Sequence, residues 1–159
     1  MLKKLVTIIA LCACASTVYA SKQTSYPALN NPTAYMSAQN QLGGQLITKC
    51  SKQPFFQIVV KFNKHHGLLW LGSQAMKIAK YWSDSEKRLV HEIYYTRIQL
   101  TQAKGGNVRK LTKRLKKLSG QLQHAKRQQQ YNRNVARQAW NVRDSLIGAF
   151  VKKCGSFRL

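Results

Sequence analysis

The most regular pattern of apolar and polar positions lies in the C-terminal half of the chain. Val108, Leu111, Leu115, Leu118 and Leu122 recur at spacings of 3, 4, 3 and 4, and Ala125 continues the series. Such a repeat is the heptad seam of a helix that packs along another helix. The seam weakens through Gln128-Gln129-Gln130. A shifted stripe of Tyr131, Val135, Ala139, Val142 and Leu146 then resumes and ends near Phe150. Upstream, Leu89, Val90, Ile93, Tyr94 and Ile98 mark one face of a preceding helix. Gly105-Gly106 stops that helix, and Asn107 is a suitable cap for the next. A connection this short predicts an antiparallel helical hairpin, about 86–104 and 107–150, with its apolar faces together. Ser83-Asp84-Ser85-Glu86 fits a capping box at the start of the first arm, and its two carboxylates suit a helix N-terminus.

The segment Phe55 to Trp82 is the most apolar outside the leader. Phe56, Ile58, Val60 and Phe62 alternate as in a strand, while Phe55, Ile58, Val59 and Phe62 share a helical face. Pro54 at a first-turn position favours the helix, because its missing N–H costs nothing there. Gly67 separates this element from a second one, Leu68 to Trp82. Residues 21–54 are rich in Ser, Thr, Asn, Gln and Pro and carry the breakers Asn30-Asn31-Pro32 and Gly43-Gly44. They read as a polar, poorly ordered lead-in with a short helix from about Thr33 to Leu42. The expected fold class is therefore all-α: a helical hairpin packed on a shorter apolar helical region of about 55–82. A length of 159 residues is enough for one core, so 55–159 is read as a single helical domain.

The first twenty residues have the form of an export signal. Met1-Leu2-Lys3-Lys4 is a short positive segment, Leu5 to about Ala15 is apolar, and Val18-Tyr19-Ala20 precedes Ser21 as a cleavage site. The apolar run is about half the ~20 residues that span a bilayer. Leu11-Cys12-Ala13-Cys14 offers a competing reading, a lipoprotein box in which Cys14 is lipidated and becomes the mature N-terminus. Under either processing, Cys50 and Cys154 remain as the mature pair. In an oxidising compartment two cysteines most simply form one disulfide. The expected location is the periplasm or the medium, or the envelope surface if Cys14 carries lipid.

Charge changes the picture of the hairpin. The chain holds 27 Lys+Arg against 4 Asp+Glu, a net charge of +23, and removing Lys3 and Lys4 with the leader leaves +21. Between Glu92 and Asp144 lie fifty-one residues without a carboxylate, and thirteen of them are Lys or Arg. Six of these, Arg109, Lys110, Lys113, Arg114, Lys116 and Lys117, fall within nine residues. With Val108 as heptad position a, they occupy b, c, f and g, away from the leucine seam. Arg109/Lys113, Lys110/Arg114 and Lys113/Lys117 are like-charge pairs one turn apart, each costing a few tenths of a kcal/mol (roughly 0.2–0.5). An ordinary solvated helix mixes signs and avoids this. The cluster, extended by Lys126 and Arg127, reads as a face for an anionic partner. An anionic membrane surface or envelope polysaccharide is the partner that export makes available. Nucleic acid and acidic or unfolded protein are the alternatives, although the 109–127 segment contains no Phe, Tyr or Trp to stack on bases.

Candidate chemistry is sparse. Four carboxylates, Asp84, Glu86, Glu92 and Asp144, leave little for glycosidase or hard-cation sites. His91-Glu92 begins a zinc-protease motif, but the position that needs a second His is Tyr95. His65 and His66 are adjacent and point apart on a helix or a strand. No phosphate loop and no nucleophile elbow is present. The expectation is a non-enzymatic binding protein with no cofactor and no metal. A chaperone-like client binder, a secreted effector and a small hydrolase are the readings it competes with.

Overall fold

The computed structural model describes residues 27–59 and 67–156. Five helices follow in order: α1 (Pro27–Asn30), α2 (Pro32–Thr48), α3 (Lys52–Val59), α4 (Leu68–Gln102) and α5 (Gly106–Cys154). Among the described residues there is no strand, so the fold is all-α, with one long helix packing on another. No helix of the described residues is long and apolar enough to cross a membrane. The helices fall into two compact units, one formed by the residues up to Leu71 with those from Ala139 onward, the other by Gly72–Gln138.

The first unit departs most from expectation. The predicted lead-in carries a 17-residue helix, α2, which runs through Gly43-Gly44. Asn31 caps it, its side-chain oxygen accepting from the N–H of Ala34 at 3.2 Å, and Pro32 occupies the first helical position. Met36, Gly43 and Ile47 are buried along one side of it. Gly43 is there for lack of a side chain: a Cβ would stand 2.8 Å from both Cδ atoms of Leu146 on α5. Composition hid this, since four buried positions on a polar helix are too few to raise an apolar period.

α2 ends in a Schellman turn. Ser51 N–H donates to Leu46 O at 3.0 Å, Cys50 N–H donates to Ile47 O at 3.2 Å, and Cys50 sits in the left-handed region at φ 49°. Glycine is the usual residue there, and a side chain costs about 1–2 kcal/mol. Cys50 is held in place by its disulfide to Cys154 at the end of α5, with the two Cα atoms 5.5 Å apart. Below it, Phe55 and Phe150 stack with ring centroids 4.4 Å apart, both fully buried. Ile58, Val59, Leu68, Trp70, Leu71 and Leu146 complete this core. Residues 55–59 are helical, with Pro54 in the first turn of α3. Val60 and Phe62, which carried the strand alternative, lie outside the described residues, as do His65 and His66. Gly67, at φ 103°, opens α4 and donates its N–H to the Tyr35 hydroxyl at 2.8 Å. Burial pushes the Tyr35 phenol above its ordinary value, and the Gly67 N–H partly offsets that.

The second unit is built from the rest of α4 and the first part of α5. α4 starts at Leu68, not at the predicted capping box, and passes unbroken through Ser83-Asp84-Ser85-Glu86. Ser85 is buried inside it and accepts from Arg88 at 3.1 Å. The signature fails because the preceding apolar residues continue one helical face, and nothing there requires the chain to turn. The buried side chains of this unit are small: Ala75, Ala79, Ala125 and Ala136 accompany Ile78, Ile93, Leu118 and Val135. The connection is made as the glycines suggested. α4 ends at Gln102, Gly105 takes φ 58°, and α5 begins at Gly106, one residue before the expected cap Asn107.

The seam on α5 does not shift at Tyr131. Tyr131 is exposed, and its neighbour Asn132 is buried instead. From Ala125 the heptad positions continue as Gln129, Asn132, Ala136, Ala139, Arg143, Leu146 and Phe150, all buried or half-buried. This register persists from Leu111 to Phe150 with polar residues at some a and d positions, and Val135, Ala139, Val142 and Leu146 of the expected stripe are also buried or half-buried. Asn132 meets its hydrogen-bonding need locally, donating to Gln128 O at 2.7 Å, as Thr96 does to Glu92 O at 2.7 Å.

Candidate basic face and apolar groove

All six cations of the cluster lie within the first four turns of α5, and all are exposed. Helical geometry spreads them over the outer circumference while Leu111, Leu115 and Leu118 turn inward. Every carboxylate of the chain already has a cation beside it. Asp84 lies 3.9 Å from Lys87, Glu86 3.7 Å from Lys126, Glu92 3.9 Å from Arg114, and Asp144 2.6 Å from Arg143. Of the eight candidate residues, Arg114 and Lys126 thus face a carboxylate across the unit. Among the described residues, Arg109, Lys110, Lys113, Lys116, Lys117 and Arg127 have no carboxylate within 4.0 Å. The two cross-helix pairs are exposed, and exposed pairs contribute about 0–1 kcal/mol each. They leave the field of the cluster almost unneutralised. The expected cleavage site at Ala20 and Ser21, and Cys14, lie outside the described residues.

The face beside this cluster was not foreseen. Leu89, Ile93, Thr96 and Leu100 turn into the unit, whereas Val90, Tyr94 and Ile98 stand on its surface, Tyr94 at 60% exposure. Val90, Ile93, Tyr94 and Arg97 on α4, with Ser119 and Leu122 on α5, line an open groove of about 330 Å³. The hint in the sequence is the width of the apolar arc on α4, which is more than one partner helix can cover. Among the described residues no carboxylate lines the groove, and Glu86, one turn before Val90, is paired with Lys126.

Two of the four histidines are described, and each packs against an aromatic ring. His91 packs edge-on to Tyr95 with ring centroids 4.6 Å apart, and His124 packs edge-on to Trp82 at 5.3 Å. Among the described residues, no three His, Cys, Asp or Glu side chains gather as metal ligands. No protein-family model, no curated protein and no solved structure matches this chain.

Proposed function

We propose that this chain is an exported, non-enzymatic binding protein whose basic α5 face docks on an anionic partner, the lipid or polysaccharide surface of an envelope or a host. The observation that carries the reading is the cluster Arg109–Lys117: six exposed cations in nine residues, with Glu92 the one carboxylate within reach. Like-charge neighbours on a helix are kept at a cost, and an anionic surface turns that cost into attraction of about 1 kcal/mol per cation near the surface.

In this reading α4 and α5 form the antiparallel hairpin. Three contacts support it: Trp82 with His124, Glu86 with Lys126, and Glu92 with Arg114. As the α4 partner advances along the sequence, the α5 partner falls back overall. Export rests on the leader, Met1 to Ala20, and agrees with the Cys50–Cys154 bond, which an oxidising compartment maintains.

The test is binding to anionic vesicles and to an oligonucleotide across a salt series, using the mature chain and a variant with the six cluster cations changed to Gln. Binding should weaken steeply with salt and collapse in the variant. Unchanged binding in the variant would remove the reading. Intact mass of the protein recovered from the expressing cell tests the export component. A start at Ser21 or a lipid-bearing Cys14 supports it, and an unprocessed Met1 opposes it.

A further inference from the structure

We infer that the groove between Val90, Tyr94 and Leu122 is a hydrocarbon-binding element, so that the anionic partner is an amphiphile, an anionic lipid in a bilayer surface. This rests on the anionic docking proposed above and narrows it, because a polysaccharide or a nucleic acid has no hydrocarbon to place in the groove. Two independent observations meet at this site. The first is exposed apolar surface: Val90 is 50% exposed and Tyr94 60%, on the α4 side of a groove of about 330 Å³. Tyrosine suits an interface, with a ring that enters hydrocarbon and a hydroxyl that stays at the polar boundary.

The second observation is charge. Arg97 lines the groove itself, and Lys116, with no carboxylate within 4.0 Å among the described residues, stands one turn before Ser119, while Lys126, one turn beyond Leu122, is paired with Glu86. A cation from each helix, Arg97 on α4 and Lys116 on α5, therefore flanks the apolar floor, which is the arrangement an anionic headgroup and its chain require. The alternative occupant, an acidic amphipathic helix, presents one charged face. Here the cations occupy positions b, c, f and g of α5, so the field extends over most of the exposed circumference, which matches an extended sheet of anionic charge. A second copy of the mature chain would bring another net charge of +21 against the first.

The experiment compares two anionic partners, vesicles of phosphatidylglycerol and phosphatidylcholine, and heparin, which carries charge without hydrocarbon. The proteins are the full mature chain, the groove variant Val90→Gln/Tyr94→Gln, and the six-cation variant. Both groove positions are exposed on α4 and Gln is a good helix former, so circular dichroism and the unfolding midpoint should be preserved. The groove variant should partition onto vesicles roughly tenfold more weakly while its heparin affinity stays within about twofold of wild type. The six-cation variant should lose both. Undiminished vesicle binding by the groove variant, with loss in the six-cation variant, would overturn the groove inference and leave the anionic docking standing. An equal loss on vesicles and heparin would also overturn it, since the groove would then not discriminate hydrocarbon. Wild-type binding to heparin but not to vesicles would do the same. A concentration-dependent dimer that the groove variant dissolves would instead make this face a contact between copies. If the six-cation variant kept its binding to both partners, the underlying docking reading would fail.

Discussion

Two adjacent glycines in α2 provide a test of the packing that the sequence concealed. Gly43 and Gly44 lie in the same helix, so replacing either by Ala should gain the same propensity, about 1 kcal/mol. Their surroundings differ. A Cβ at Gly44 meets nothing within 4 Å, whereas one at Gly43 stands 2.8 Å from Leu146 Cδ1 and Cδ2. Forcing a methyl into a packed core costs about 1–3 kcal/mol, and the lower end applies where the opposing atoms are the tip of a flexible side chain. Gly44→Ala should therefore be stabilising by up to about 1 kcal/mol. Gly43→Ala should fall between neutral and about 2 kcal/mol destabilising. The assay is urea unfolding of the oxidised mature chain, followed by circular dichroism. Leu146→Ala supplies the control: alone it should cost about 2–5 kcal/mol, because Leu146 is nearly fully buried. In that background Gly43→Ala should become stabilising, since the obstructing methyls are gone. If Gly43→Ala stabilises as much as Gly44→Ala in the native background, the contact between α2 and α5 is wrong.

The disulfide and the half-buried Tyr35 of the same unit give two further expectations. Cys50 and Cys154 are 104 residues apart, and opening a loop of that length by changing both to Ser should cost about 4.7 kcal/mol in the chain-entropy model, read as a lowered urea midpoint. Cys50→Gly/Cys154→Ser should lose about 1 kcal/mol less, because glycine suits the φ of 49° at position 50; equal losses would refute the strain assigned there. Tyr35→Phe leaves the Gly67 N–H without its acceptor and should cost about 1 kcal/mol near neutral pH. Because the folded Tyr35 phenol titrates above 10.0, the unfolded chain loses its proton first as pH rises. The contribution of Tyr35 to stability should therefore be full below pH 10.0 and be lost as pH rises above it, so Tyr35→Phe should show a shallower alkaline decline than wild type. Parallel slopes in the two proteins would refute the assignment.

Helix was legible wherever an apolar period ran for several turns, as in Val108–Leu122, and the stop at Gly105 was legible because a left-handed residue there needs glycine. The pairing of Cys50 with Cys154 was legible by elimination, and the structure joins them. The cluster Arg109–Lys117 was legible as an outward face because heptad position alone places it opposite the leucines. Helix starts were less legible. Ser83-Asp84-Ser85-Glu86 has the residues of a cap, but a cap forms only where the chain changes direction, and here α4 simply continues.

The sequence by itself determined the helical period, the breaks at glycine, the available cysteine pair and the density of positive charge, all of which depend on neighbours a few residues apart. Only the tertiary structure decided which of two adjacent stripes on α4 is covered, that Asn132 and not Tyr131 enters the seam, and that a polar segment supplies α2 to the core beside Leu146. Those outcomes depend on groups far apart in the chain. Val90 and Tyr94 are as apolar as Leu89 and Ile93, and it is the reach of the partner helix, not their own chemistry, that leaves them in the open. Asn132 is tolerated inside because a carbonyl four residues back accepts its amide N–H, a provision that no hydropathy pattern displays.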